Sequence, residues 1–249
     1  MKELIIFDLD GTLNESKAPL EKQMAGLLCE LLAKTKVAVI SGASFAQLKK
    51  QFLDNLSCTN DELSQLFLMP TSGSSLYKYE KTNWVQIYTE MLSEKDSAKI
   101  QKALESAIVS ASIESAENVF GELIENRGSQ ITYSALGQEA PIELKKKWDP
   151  NHSKRDRIVS ALLPLIPEFE AHIGGTTSID VTKKGVDKAY GVEKIKKYLN
   201  IQKERILFMG DAIFPGGNDY SVKKVGIETF QVSGPEEVKG IIRKLLKVI

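Results

Sequence analysis

Short apolar runs alternate with amphipathic stretches at both ends of this chain. Leu4-Ile5-Ile6-Phe7 has no polar interruption, the pattern of a strand buried on both faces. Residues 18–34 place Leu20, Met24, Leu27, Leu28, Leu31 and Leu32 at helical spacing. Residues 37–40 predict a second strand, 44–54 a helix whose start Ser44 can cap, and 66–69 a third strand. Near the other end, 187–199 predict a helix, 205–209 a strand, 226–232 a short strand and 235–248 a final helix. This alternation predicts an α/β fold, a parallel sheet covered by helices on both faces.

The middle breaks the alternation. Residues 77–88 are rich in aromatics and predict strands, and 94–112 predict a helix with Ile100, Ala103, Leu104, Ala107, Ile108 and Ala111 on one face. Residues 123–125 and 130–134 read as paired strands around Asn126-Arg127-Gly128. A polar helix over 151–163 follows, then two strands, 169–173 and 178–181, around Gly174-Gly175. Strands and helices in this irregular order predict an α+β unit. We therefore expect a core of residues 1–79 and 185–249, with 80–184 inserted as a second domain.

Composition narrows the class. The chain has 249 residues and equal numbers of basic and acidic side chains, 33 each, which argues against a general polyanion-binding surface. No apolar run is long enough to span a bilayer, and the first residues enter a strand without a secretory pattern. Cys29 and Cys58 are the two cysteines, too few to read as a disulfide framework; Cys29 lies in an apolar helical pattern and reads as a buried thiol. The expected setting is cytoplasmic, with neither nucleic acid nor membrane as partner. The run Lys145-Lys146-Lys147 reads as a solvated face.

Chemistry-bearing residues fall where core strands end. Asp8 and Asp10 follow the first strand, two residues apart, a spacing that in extended chain puts both on one side. Gly11 permits a sharp turn and Thr12 adds a hydroxyl. Ser41 follows the second strand, Lys188 opens a predicted helix, and Gly210-Asp211 follows Ile206-Leu207-Phe208-Met209. Such ends are where open α/β sheets bind ligands. A phosphate dianion repels a carboxylate nucleophile, and a divalent cation held by carboxylates removes that repulsion. The set therefore predicts phosphoryl transfer. Asp8 is the nucleophile and Asp10 the acid/base, with Asp8, Asp10 and Asp211 around Mg²⁺ and Ser41 and Lys188 on the phosphoryl oxygens.

Asp-x-Asp-Gly-Thr-Leu, Ser-Gly, Lys and Gly-Asp in this order resemble the haloacid dehalogenase superfamily. The resemblance implies a Rossmann-like core, Mg²⁺ dependence, an aspartyl phosphate, and, in the insertion, a large α+β cap. Gly174-Gly175-Thr176-Thr177-Ser178-Ile179-Asp180-Val181, Gly185-Val186-Asp187-Lys188, Pro215-Gly216-Gly217-Asn218-Asp219 and Val39-Ile40-Ser41-Gly42-Ala43-Ser44-Phe45 are similar to stretches of eukaryotic-type phosphomannomutases. That narrower resemblance implies interconversion of hexose 6-phosphate and 1-phosphate, mannose being the expected hexose, through a sugar bisphosphate. It assigns Arg127, Ser178 and Asp180 of the cap to phosphate and sugar hydroxyls, and Gly42, Gly175, Asn218 and Asp219 to substrate. It also implies a homodimer through the cap.

The chain departs from that pattern where substrate is held. An arginine expected after the first motif is Lys17, and one expected in the cap is Gln138. A third has no direct counterpart, and Arg155 and Arg157 are the candidates to replace it. A neutral amide in place of a guanidinium keeps a sugar-phosphate phosphatase of the same architecture as the alternative. A receiver-like phospho-aspartate switch, the remaining class, places adjacent acids after its first strand, whereas Leu9 separates them here.

Overall fold

The computed structural model describes residues 2–113 and 118–248. The chain divides into two compact units, Met1–Thr89 with Asp187–Ile249, and Glu90–Val186.

In chain order the first unit contains β1 (Leu4–Asp8), α1 (Lys22–Leu32), β2 (Lys36–Ile40), α2 (Phe45–Gln51), α3 (Asn60–Leu63), β3 (Leu66–Met69), β4 (Ser75–Glu80) and β5 (Asn83–Thr89). The second holds α4 (Glu94–Ser110), β6 (Ile124–Asn126), β7 (Ile131–Ser134), α5 (Ile142–Trp148), α6 (Ser153–Leu162), β8 (Phe169–Gly174) and β9 (Ser178–Lys183). The chain then returns to the first unit with α7 (Lys188–Leu199), β10 (Ile206–Gly210), α8 (Tyr220–Lys224), β11 (Glu228–Gln231) and α9 (Pro235–Leu245).

The first unit is built on a seven-stranded sheet ordered β11-β10-β1-β2-β3-β4-β5. The five strands from β11 to β3 run parallel. The topology turns outward in both directions from β1, a switch point, where α/β sheets leave a crevice at the strand ends. Ile5, Phe7, Val37, Val39, Leu207 and Met209 pack on one side of the sheet; Leu4, Ile6, Ala38, Ile40, Ile206 and Phe208 pack on the other. Burial on both faces explains the unbroken apolar runs. Ser44 caps α2 in a capping box with Gln47.

Three features differ from the sequence reading. The aromatic stretch 77–88 belongs to the first unit, whose boundary falls at Thr89 rather than at 79. β4 and β5 form an antiparallel hairpin on β3, and Tyr77 stacks on Phe45 and Tyr79 packs on Trp84. Cys29 is not a thiol. It forms a disulfide with Cys58 that ties α1 to the segment before α3. α3, α5 and α8 are short or highly charged and were not legible as helices.

The second unit is a four-stranded antiparallel sheet, β6-β7-β9-β8, with α4 and α6 packed on its apolar face. Ile100, Ala103, Leu104, Ala107 and Ala111, the predicted apolar face of α4, are consumed by this core. Lys145, read as solvated, is 1% exposed, and its Nζ donates to the Gln138 carbonyl at 2.8 Å. No helix among the described residues is long and apolar enough to cross a membrane.

Candidate active site

Sheet register brings the predicted motifs level. Asp8 pairs with Ile40, so Ser41 lies one residue beyond it; Phe7 pairs with Met209, so Asp211 lies one residue beyond the Gly210 that follows. α7 begins at Lys188, with Asp187 as N-cap accepting from the Tyr190 N–H at 2.9 Å.

Lys188 Nζ donates to Asp8 Oδ1 at 2.5 Å and to Asp219 Oδ1 at 2.6 Å, and all three residues are buried. Asp219 Oδ2 accepts from the Ala212 N–H at 3.1 Å. Its carboxylate lies so close to Gly210 that a β-carbon there would collide with it. Gly11, with φ at +85°, does the same for Asp211: a β-carbon would meet Asp211 Oδ2 at 2.6 Å. Asp8, Asp211 and Asp219 offer oxygens within 4.8 Å of one another.

One ammonium therefore faces three carboxylates. Burial pushes the Asp8 carboxyl well above the usual carboxylate range; Lys188 opposes this, and Asp219 and Asp211 add to it. Asp211 is raised by burial and by Asp219. Burial works against the charge on Lys188, but Asp219 and Asp8 outweigh it and hold its pKa above the ordinary lysine value. A close set of carboxylates with surplus negative charge fits a hard divalent cation such as Mg²⁺.

The remaining predicted residues are placed as follows. β1 ends at Asp8, so the extended-chain reading does not reach Asp10, whose Oδ1 accepts from the Lys17 N–H at 2.5 Å. The side-chain cluster contains Asp219 rather than Asp10, and Asp219, read as a substrate residue, is also the second counterion of Lys188. Ser41 is buried, and its Oγ accepts from the Ala43 N–H at 3.1 Å, in the turn that contains Gly42. Asn218 is half-buried, directly before Asp219.

In the second unit, Thr132, Asp180 and His172 are cross-strand neighbours, and Thr132 Oγ1 donates to Asp180 Oδ1 at 2.8 Å. Ser178 lies two residues earlier, on the same face. Arg127 donates to Glu125 Oε2 from Nε at 2.9 Å and from Nη2 at 2.7 Å, and to Gln138 Oε1 at 3.3 Å. Among the described residues the buried Gln138 Nε2 has no hydrogen-bond partner. Arg155 is 1% exposed; it pairs with Asp149 and donates to the carbonyls of Gly174 and Gly175. Arg157 donates to the Ala111 carbonyl. Arg155 is fixed inside its own unit, which accounts for it without substrate, whereas Arg157 is exposed. Sequence reading missed Asn14, buried four residues after Asp10, because an isolated Asn in a turn carries no distinguishing signal.

A model of the eukaryotic phosphomannomutase family matches residues 24–248. Phosphomannomutase of Encephalitozoon cuniculi is 28% identical over 254 residues, covering 100% of this chain and 95% of that protein. Phosphomannomutase of Saccharomyces cerevisiae is 26% identical over 254 residues, covering 98% and 94%. Among solved structures, an IMP-bound mutant of Plasmodium falciparum IMP-nucleotidase superposes with a TM-score of 0.76 at 17% identity, over 100% of this chain and 67% of that one. SMU.1108c of Streptococcus mutans gives 0.68 at 16% identity, over 99% and 100%. At these identities the structural matches speak to fold alone. The chain is an enzyme and belongs to the eukaryotic phosphomannomutase family.

Proposed function

We propose that this family member is a Mg²⁺-dependent phosphotransferase that interconverts hexose 6-phosphate and hexose 1-phosphate, with mannose the first hexose to test. The observation that carries the proposal is the buried Asp8–Lys188–Asp219 cluster with Asp211 beside it. Asp8, Asp211 and Asp219 are the side chains that would hold the cation, which would supply positive charge to the phosphoryl oxygens. Asp8 attacks phosphorus and becomes an aspartyl phosphate as the bond from phosphorus to the leaving oxygen breaks. Asp10 gives that oxygen a proton, and later takes one from the hydroxyl that accepts the phosphoryl group. Lys188 works against the burial that raises the Asp8 carboxyl and faces the charge that develops.

Gln138 supports a second reading, a sugar-phosphate phosphatase, because a neutral amide holds a phosphate less firmly than a guanidinium. Both readings share Asp8, Asp10, Lys188 and Asp211; they differ in whether a sugar hydroxyl or water receives the phosphoryl group. The test is a panel of hexose phosphates with Mg²⁺ and a hexose bisphosphate activator, scored for isomer and for free phosphate. Isomer without phosphate release is expected. Phosphate without isomer supports the phosphatase, and neither product rejects both.

A further inference from the structure

The loop after β1 folds back on its own main chain and brings one N–H to the Asp10 carboxylate. The N–H groups of Thr12, Leu13 and Asn14 converge on the Leu9 carbonyl at 3.3, 2.9 and 3.2 Å. Asp10 and Asn14 form an isolated bridge, in which the Gly11 N–H donates to the Asn14 carbonyl at 2.8 Å. The Asn14 side chain is 2% exposed, and its Nδ2 donates across the loop to the Ala18 carbonyl at 2.5 Å. Between these anchors Lys17 is held at φ +61°. A residue with a β-carbon adopts that left-handed backbone at a cost, and here the conformation turns the Lys17 N–H onto Asp10 Oδ1 at 2.5 Å.

The sequence reading gave Lys17 a side-chain role on substrate. We propose that Lys17 is a positioning residue that acts through its main-chain N–H, and that Asn14 locks the loop that presents it. The inference rests on the reading of Asp10 as acid/base. A carboxyl group that must meet a leaving oxygen works best when its plane is already fixed. The N–H holds Oδ1; Oδ2 then releases its proton to the sugar oxygen while the phosphorus–oxygen bond breaks and the bond to Asp8 forms. A local strain is retained because it aims a group that reacts.

The leaving group provides the test. A sugar alkoxide needs that proton, whereas p-nitrophenolate leaves without it. The readout is the ratio of single-turnover rate constants for phosphorylation of Asp8 by a hexose phosphate and by p-nitrophenyl phosphate, with Mg²⁺. Lys17→Pro removes the N–H and imposes a negative φ; the ratio falls about tenfold to hundredfold, a fraction of what a general acid contributes. Asn14→Ala lowers it in the same direction. Lys17→Gly keeps both the N–H and the backbone conformation, so its ratio stays near that of the parent whatever becomes of substrate affinity. A defect of folding alone slows both substrates and leaves the ratio where it was. An unchanged ratio in Lys17→Pro, or an equal fall in Lys17→Gly, overturns the proposal. If Lys17→Pro lacks the far-ultraviolet circular dichroism of the parent, Asn14→Ala decides: a lowered ratio supports the proposal and an unchanged one overturns it. Asp10→Asn separates the two levels. If its ratio matches the parent, the acid/base reading itself fails; if it falls while Lys17→Pro does not, only the role of Lys17 fails.

Discussion

The two units treat buried charge in opposite ways. In the first, three carboxylates share one ammonium, and Asp8 and Asp211 are both pushed up by burial and by their neighbours. In the second, Asp149 is also buried, yet Arg155 and the N–H groups of Lys154 and Arg155 outweigh the burial and hold its carboxyl below the usual range. Arg127 has Glu125, and Asp180 has Thr132. A charge deficit kept at strand ends marks where chemistry is done, because only a ligand completes it. Complete pairing marks architecture that presents a surface.

The largest effect separates reactivity from stability. Asp8→Asn should lower turnover by roughly 10⁴- to 10⁶-fold, as loss of a covalent nucleophile does. It should also raise the melting temperature of the metal-free protein at neutral pH, because the ionised carboxyl costs the folded state. The pH signs follow. Asp8, raised in the folded state, contributes stability below its unfolded value and loses it as pH rises through the folded value. Asp149, lowered, contributes above its unfolded value and loses it as pH falls through the folded one. Hydrogen exchange of metal-free protein should therefore show protection in the first unit weakening as pH rises from about 4. The second unit should weaken as pH falls below that value. The same sign in both units would remove the distinction.

Arg155→Met should cost the second unit about 3–5 kcal/mol, the loss typical of stranding one partner of a buried pair. Urea denaturation measures it. A loss under 1 kcal/mol would mean that Asp149 finds other donors and that pairing does not hold this unit together.

The first unit carries the disulfide. Closing a loop of sequence separation 29 stabilises by about 3.5 kcal/mol in the chain-entropy model. Cys29→Ser with Cys58→Ser, or a reductant, should lower the denaturation midpoint of that unit and leave protection across β6–β9 unchanged. Loss of protection in both units at once would show that they unfold together.

What the sequence revealed divides along the same line. The parallel core was legible because strands buried on both faces leave uninterrupted apolar runs, and the acids stood out because they interrupt those runs at their ends. The Cys29–Cys58 pairing was not legible: two cysteines 29 positions apart carry no periodic signal, and only the approach of α1 to the segment before α3 brings them together. Lys145, read as solvated, and Arg155, read as a candidate to replace a missing cap arginine, differ from their readings for a related reason. What a charged residue does depends on its partners, and these, the Gln138 carbonyl and Asp149 with two turn carbonyls, are set by tertiary structure. Asp10 was assigned a role from its motif, but its geometry depends on the left-handed backbone at Lys17, which no pattern of side chains announces.

The smallest change bears most directly on specificity. Gln138 Oε1 accepts from Arg127 Nη2, while its own Nε2 is buried with no partner among the described residues. Gln138→Arg replaces that acceptor with a second cation. Without ligand the two guanidinium groups repel, and the second unit should lose about 0.5–1 kcal/mol. With a hexose bisphosphate the added charge-assisted hydrogen bond should tighten binding about tenfold, close to 1.4 kcal/mol. Titration calorimetry on the Asp8→Asn background measures this without turnover, at two salt concentrations to expose the charge contribution. Tighter bisphosphate binding with unchanged monophosphate binding would locate at Gln138 a choice between a doubly and a singly phosphorylated sugar. Equal tightening of both would reduce the substitution to general electrostatic attraction. No tightening at all would mean that the second unit meets its ligand away from Arg127.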